Sequence, residues 1–309
     1  MGTVIVSGAS GFIGRHLVRY LSEQGVSVCA LASPGRGNRV EKLPNVSVVE
    51  CSLDDWSEAA ARLPQNADAF LCLAWGGVSP ESRNSFERQF ANVGLSLNAV
   101  RLAAAVHAQR FILPGSTAEY AESQGPINAQ SAPSPQNAYG AAKIAARFLC
   151  RALAEELGLP YIYTVITGTY SADRKDSNVI YYAISSLLQG KRPSFTRLEQ
   201  LWDYVHIDDV VRALHLIASE GKGGAFYTIG HGDNWPLSNY ILCIRDIINP
   251  DAELGLGDIP YKGGKMPSSC VDLRSLQEDT GFVPRIPFDV GIREVIAEVS
   301  KELNNGQSI

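Results

Sequence analysis

The stretch Thr3-Val-Ile-Val-Ser-Gly-Ala-Ser-Gly-Phe-Ile-Gly14 decides how the rest of the chain reads. Four β-favouring residues run into glycines at 8, 11 and 14, and an amphipathic helix follows at once. Ile13, Leu17 and Leu21 recur every four residues with Val18 beside them, which makes one helix face apolar. Glycine lets the backbone turn sharply off the strand and leaves no Cβ between the helix N-terminus and a ligand. Such a helix end presents free N–H groups and a positive dipole end, which suits a pyrophosphate. The spacing is G-x-x-G-x-x-G, not G-x-G-x-x-G, and a glycine triplet alone is as readily an ordinary turn. Its place between a strand and a helix makes Gly8, Ser10, Gly11, Phe12, Ile13 and Gly14 a candidate dinucleotide site.

With 309 residues and 45% hydrophobic content, the chain can bury a sizeable core, as one large or two modest domains. A net charge of −5 argues against nucleic acid or an anionic membrane as the main partner, so any phosphate site is local. No apolar run approaches a transmembrane length, and Met1 leads straight into a strand instead of a signal peptide. The six cysteines form no C-x-x-C pair, and Cys29 and Cys72 lie in apolar runs. They read as small buried hydrophobes in a reducing cytoplasm, and no metal site is expected.

Strands are expected at Val26–Leu31, Val46–Glu50, Ala69–Ala74, Arg110–Leu113 and Tyr161–Thr167, alternating with helices near Ser57–Arg62, Asn84–His107 and Tyr139–Leu157. That alternation implies a Rossmann-type α/β fold, a doubly wound parallel sheet with right-handed crossovers. After Gly168 the pattern loosens into loops, a helix around Val179–Gln189, and Pro193–Thr196. Trp202–Ile207 reads as a strand, Asp208 or Asp209 as the cap of a helix Val210–Ser219, and Ala225–Ile229 as a returning strand. The expected division is a dinucleotide domain at 1–167, rejoined by 202–230, and a smaller C-terminal lobe from 168–201 and 231–309.

Tyr139-Gly-Ala-Ala-Lys143 is the sharpest chemical signal. Positions i and i+4 share a helix face, so a phenol and an ammonium meet. A free tyrosine titrates near pH ~10, and an adjacent cation favours its phenolate and moves it toward neutrality. The second signal is Pro114-Gly-Ser116-Thr-Ala-Glu-Tyr120 at the carboxyl end of the fifth strand, the edge where open α/β sheets bind ligands.

Together these pieces resemble the extended short-chain dehydrogenase/reductase family of nucleotide-sugar epimerases, dehydratases and ketoreductases. The resemblance also rests on Leu73-Ala74 after the fourth strand, Asn92, Trp202-Asp-Tyr-Val-His-Ile-Asp-Asp209 and Tyr227-Thr-Ile-Gly-His-Gly232. It implies Ser116, Tyr139 and Lys143 as catalytic residues, with Thr117 the fallback for Ser116. Leu73, Ala74, Tyr139 and Lys143 would join the dinucleotide contacts. Ser116, Thr117, Asn178 and Thr196 would touch a nucleotide-sugar substrate. Trp202 stands where many relatives have an Arg for the nucleotide diphosphate, and Gly168 where the family has Asn, which leaves the sugar nucleotide open. Thr117 and Ala118 replace the Asp-Glu pair of the 4,6-dehydratases, which disfavours dehydration.

At the end of the second strand Ala32 replaces the carboxylate that would bind an adenosine ribose diol, and Ser33-Pro-Gly-Arg36 follows. A hydroxyl and a guanidinium suit a 2′-phosphate, so Ser33 and Arg36 favour NADP, with NAD the alternative. The expected activity is reduction of a 4-keto nucleotide sugar by hydride transfer at C4. The alternatives are a nucleotide-sugar 4-epimerase and, in another class, a non-catalytic dinucleotide-sensing scaffold. The resemblance further implies a homodimer in which helices near Asn92–His107 and Tyr139–Leu157, carrying Leu95, Val100, Leu102, Phe148 and Leu149, form a four-helix bundle.

Overall fold

The computed structural model describes residues 1–79, 81–123, 125–173, 179–261 and 268–305. Strands β1 (Thr3–Ser7), β2 (Ser27–Ala32), β3 (Val46–Glu50), β4 (Ala69–Cys72), β5 (Phe111–Ser116) and β6 (Tyr161–Ile166) alternate with helices. These are α1 (Phe12–Glu23), α2 (Trp56–Ala60), α3 (Phe86–Ala105) and α4 (Ala138–Glu156). The strand Phe226–Ile229 completes a seven-stranded sheet, in the order Phe226–Ile229, β6, β5, β4, β1, β2, β3. All its pairings are parallel, as the strand–helix alternation requires.

Strand periodicity assigns each apolar side chain to one of two cores. Ile5 enters the cluster that contains Val100 and Leu102 of α3 and Ala146 and Cys150 of α4. Its neighbours Val4 and Val6 enter the opposite cluster, with Leu17, Val18 and Leu21 of α1. There they meet Val210 and Leu214 of a later helix, Ile207–Glu220. Burying each such aliphatic side chain stabilises the fold by about 1.5–3 kcal/mol. Strand order reverses between β1 and β4, and the carboxyl ends of those two strands open the crevice where such sheets take ligands.

A third cluster lies outside the sheet. It joins Ile180 and Ile184 of the helix Val179–Leu188, Ile241 and Ile244 of Leu237–Ile248, and Ile292 and Val295 of Phe288–Asn304.

Several expectations change here. The fourth strand stops at Cys72 and the chain continues as a loop, because Leu73 and Ala74 abut Gly8. Gly168–Tyr170 is a short strand, not a loop, and pairs in parallel with Tyr204–His206. The expected strand Trp202–Ile207 is broken at Asp203. Leu201–Trp202 pairs instead with Trp235–Pro236, while Tyr204–His206 turns to Gly168–Tyr170. The following helix begins at Ile207 and its cap is His206, whose ring accepts from the Asp208 N–H at 3.3 Å. Asp209, 1% exposed, instead holds the Arg285 and Ile286 N–H groups at 2.9–3.0 Å. Pro193–Thr196 narrows to Ser194–Phe195, paired with Gly255–Leu256.

Candidate active site

The glycine turn lies at the reversal of strand order. Gly8 has φ +71°, and a Cβ there would stand 2.6 Å from Ala74 N and from the Leu73 carbonyl carbon. Gly14 would place its Cβ 2.2 Å from Gly8 O, so α1 reaches the strand end only without one. The Gly11 N–H donates to Gly8 O at 2.9 Å and closes the turn. Gly11 caps α1 with no side-chain hydrogen bond, and the first turn carries no acid. The helix end is therefore open to an anion. Gly8, Ser10, Gly11, Phe12, Ile13 and Gly14 are thus brought together with Leu73 and Ala74.

One turn into α1, Arg15 and His16 reach Asp173 at 2.7 Å and 3.0 Å, a contact that tethers the segment after Gly168–Tyr170 to this helix. Burial pushes the Asp173 carboxyl up, but hydrogen bonds from Ser171 and Arg15 and the His16 charge outweigh it and leave it at about 2.

The Ser116 turn and α4 pack against one another. Ser116 Oγ accepts from the Ala118 N–H at 3.3 Å, and the Glu119 carboxylate returns to the Ser116 N–H at 2.7 Å. This is a capping box, and its S-x-x-E spacing is the signal in the sequence that marks it. The start of α4 is fixed by Asn137, which accepts from the Gly140 N–H at 2.8 Å. A Cβ on Gly140 would stand 2.3 Å from Ala118 O, so α4 lies directly on the serine turn. Ser116, Thr117, Tyr139 and Lys143 therefore share one corner of the sheet edge.

Tyr139 is 8% exposed and Lys143 6%. The Lys143 ammonium donates to Pro114 O at 2.9 Å and stands 5.9 Å from the Tyr139 ring centre. Burial pushes the Lys143 ammonium below its ordinary range, opposed by the Glu119 charge. Burial pushes the Glu119 carboxyl up, opposed by hydrogen bonds from the Ser116 N–H and the Tyr163 hydroxyl. The second Glu119 oxygen is buried and has no hydrogen-bond partner.

Two neighbours of this corner carry no signal in the sequence motifs. Trp75 lies 3.7 Å from Lys143 Nζ at its ring centre and meets Tyr139 edge-on at 6.1 Å. Arg83 stands over the Tyr139 ring at 5.2 Å.

The two departures from the family pattern are one contact. A Cβ on residue 168 would stand 2.9 Å from Trp202 Nε1, so the glycine makes room for the indole. That Nε1–H is buried without a hydrogen-bond partner. Ser116 and Ile166 are paired residues of β5 and β6, so Gly168 and Trp202 lie at the same sheet edge as the serine. Asp203, 0% exposed, joins the two later sequence blocks by accepting from the His231 and Gly232 N–H groups at 2.9 Å each. Burial pushes its carboxyl up to about 6 despite those bonds.

Ser33 and Arg36 lie exposed in the loop after β2. Glu50, opposite Ala32 on β3, accepts from the Gly35 and Gly37 N–H groups at 2.8 Å and 2.7 Å and fixes that loop. A carboxylate thus stands beside the loop, from β3 instead of β2. Thr196 follows Ser194–Phe195 and is half-buried. Asn178 lies outside the described residues. An open groove lined by Asn239, Cys243, Asp246 and Arg293 is built on other helices and contains none of the expected site residues. Among the described residues no group of three or more His, Cys, Asp or Glu could hold a metal ion, and no helix is long and apolar enough to cross a membrane.

The profile of the NAD dependent epimerase/dehydratase family matches residues 4–230. The chain is 28% identical over 169 residues to a dTDP-glucose 4,6-dehydratase of Salmonella typhimurium, covering 52% of this chain and 47% of that one. It thus spans about half the length of the first such curated relatives. A GDP-6-deoxy-D-mannose reductase of Pseudomonas aeruginosa is 25% identical over 307 residues, 96% of each chain. Among solved structures, the UDP-glucose 4-epimerase of Thermotoga maritima superposes with a TM-score of 0.82 at 23% identity, over 97% of this chain and 99% of that one. RMD from Pseudomonas aeruginosa, complexed with NADPH, gives 0.78 at 22% identity over 98% and 100%.

Proposed function

Given that the chain belongs to the NAD dependent epimerase/dehydratase family, we propose that it is a 4-keto nucleotide-sugar reductase. The observation that carries this reading is the corner where the Ser116 turn, Tyr139 and Lys143 meet beside the glycine turn. In this reading the helix α1 N-terminus and Gly8–Gly14 hold the dinucleotide pyrophosphate, and Lys143 and Tyr139 face its nicotinamide ribose. The bound nicotinamide supplies a hydride. Ser116 hydrogen-bonds the sugar O4, with Thr117 its neighbour. Tyr139 gives that oxygen its proton, and Lys143 lowers the cost of the phenolate left behind. The third apolar cluster forms the substrate lobe, which with Thr196 closes over the sugar nucleotide. Ala118, in place of a carboxylate, weighs against dehydration.

A second reading, a 4-epimerase, shares all of these groups, and UDP-glucose 4-epimerase has the same fold. Isotope transfer separates the two. With NADPH deuterated at the transferred position and a 4-keto nucleotide sugar, mass spectrometry of the product should find one deuterium at C4 and one equivalent of NADP released. An epimerase would release no cofactor. A silent scaffold would leave both reactants unchanged.

The cofactor preferred in this reading is NADP, held by Ser33 and Arg36. Glu50 is the observation that favours NAD, because an anion beside the loop repels a 2′-phosphate. If Arg36 contacts the phosphate, Arg36→Ala should narrow the NADP(H) preference by about 1–3 kcal/mol, the worth of a hydrogen bond to a charged group. Calorimetry of the unmutated protein showing tighter NAD(H) would reverse the assignment.

Assembly as a homodimer through α3 and α4 is part of the same proposal, with a changed face. Val100 and Leu102 are fully buried in the protomer and Leu95 is half-buried. Of the expected residues Phe148 (42%) and Leu149 (49%) are exposed, and Phe86 (74%) and Phe90 (81%) join them from the start of α3. In this reading these four large apolar side chains on two adjoining helices form a face that a second copy covers. Phe90→Asp should convert a dimer to a monomer in light scattering without lowering the melting temperature of the protomer. A monomeric unmutated protein at micromolar concentration would refute the interface.

A further inference from the structure

Trp75 touches both members of the tyrosine–lysine pair, and the site described above gives it no task. The Lys143 ammonium stands 3.7 Å from the indole centre, well inside the distance at which a cation feels the ring quadrupole. The same indole meets the Tyr139 ring edge-on at 6.1 Å. Its orientation is fixed. Trp75 Nε1–H donates to Gln89 Oε1 at 3.0 Å, and Gln89, 1% exposed, donates in turn to Gly77 O at 2.7 Å and Ser82 O at 3.2 Å. Asn92 clamps the next residue from both sides, accepting from the Gly76 N–H at 3.0 Å and donating to Gly76 O at 2.8 Å. A tryptophan in a loop after a strand would ordinarily sample several rotamers. Here two buried amides of α3 hold it against the ammonium.

We propose that the indole face of Trp75 keeps the Lys143 ammonium charged and in place, which makes Trp75 a positioning residue for the tyrosine–lysine pair. The proposal rests on the reading of Tyr139 and Lys143 given above. An ammonium taken out of water must recover its solvation from fixed groups. Lys143 has the Pro114 carbonyl as a hydrogen-bond acceptor, and the indole supplies a face of negative potential. The other ionisable groups facing it are Glu119 from the serine turn, Cys72 from β4, and Cys150 and Tyr139 from α4 itself, with Arg83 beyond the phenol. Glu119 is the strongest of these in favouring the charged lysine. Loss of the indole therefore leaves the ammonium to the Pro114 carbonyl and to a buried carboxylate that also serves the Ser116 N–H and the Tyr163 hydroxyl.

The test follows the titration of Lys143 directly, in protein labelled with 13C at the lysine ε carbon, without substrate. Lys143→Arg identifies the signal by its disappearance. Trp75→Leu should lower the Lys143 midpoint by about half to one and a half pH units, the range expected for a desolvated cation–aromatic contact. Trp75→Phe keeps a ring face and should restore most of the shift, although it loses the bond to Gln89. If Trp75→Leu fails to fold, Trp75→Met fills the space flexibly and carries the same comparison. Midpoints unchanged in the ringless variant, or lowered equally by phenylalanine, would overturn the proposal. Because no substrate is present, a nucleotide-sugar panel without turnover would strike the proposed function and leave the role of Trp75 to this titration.

Discussion

Tyr139→Phe should lower turnover by at least about 10²–10⁴-fold, the usual contribution of one positioned acid–base group. The fold and the dinucleotide affinity should persist. The phenol ring is 8% exposed and packs between Trp75 and Arg83, and phenylalanine keeps both ring contacts. What it loses is the only proton this corner is proposed to deliver to the sugar oxygen. Lys143 cannot replace it, because its ammonium is engaged by the Pro114 carbonyl and the indole face. Single-turnover kinetics with deuterated NADPH would place the loss in the chemical step. Unchanged turnover in Tyr139→Phe would discard the proton-transfer role.

The second large effect is expected at Gly8→Ala. A left-handed φ of +71° costs an L-residue about 1–2 kcal/mol by itself. The added Cβ would also meet Ala74 N and the Leu73 carbonyl carbon at 2.6 Å, and both are backbone atoms of the loop that follows β4. Relief requires β1 and β4 to part where the pyrophosphate is proposed to sit. Gly25→Ala isolates the first part of the cost, since Gly25 has φ +75° and open space around it. Urea unfolding should show Gly25→Ala less stable by about 1 kcal/mol and Gly8→Ala by roughly 3 kcal/mol or more. Calorimetry should then find dinucleotide binding intact in the first and weakened at least tenfold in the second. Equal affinity in both would mean that the glycine turn serves only the fold.

The parallel sheet was legible because most of its strands are short apolar runs bounded by turn residues and followed by a helix. β3 matches its expected span, and the other sheet strands differ by one to three residues at an end. The ribbons outside the sheet were not legible. Trp202–Ile207 looks like one strand because aromatic and β-branched residues run through it. Its break comes from Asp203, whose partners lie nearly thirty residues away at His231 and Gly232. Ser116, Tyr139 and Lys143 could be singled out as candidates because two of them share a helix face and the third sits at a strand end. Trp75 and Gln89 could not, since fourteen residues separate them and only the packing of α3 against the sheet joins them. The residues proposed for a dimer face show the reverse case. Val100 and Leu102 are as apolar as Phe86 and Phe90, and only the orientation of α3 decides which pair faces the core. Glu50 was not legible for a related reason: a carboxylate for the adenosine ribose is expected at the end of β2, and Glu50 stands one strand over.

The central claim is that this corner moves a hydride between a nicotinamide and a nucleotide sugar. The most direct test incubates the purified protein and NADPH with a panel of 4-keto nucleotide sugars carrying different bases, and follows the nicotinamide absorbance. The predicted result is a fall in absorbance with one member of the panel, matched mole for mole by reduced sugar nucleotide, and absent in Tyr139→Phe. No change with any member, although the protein binds NADPH in calorimetry, would contradict reduction; a fall that persists in Tyr139→Phe would contradict the site.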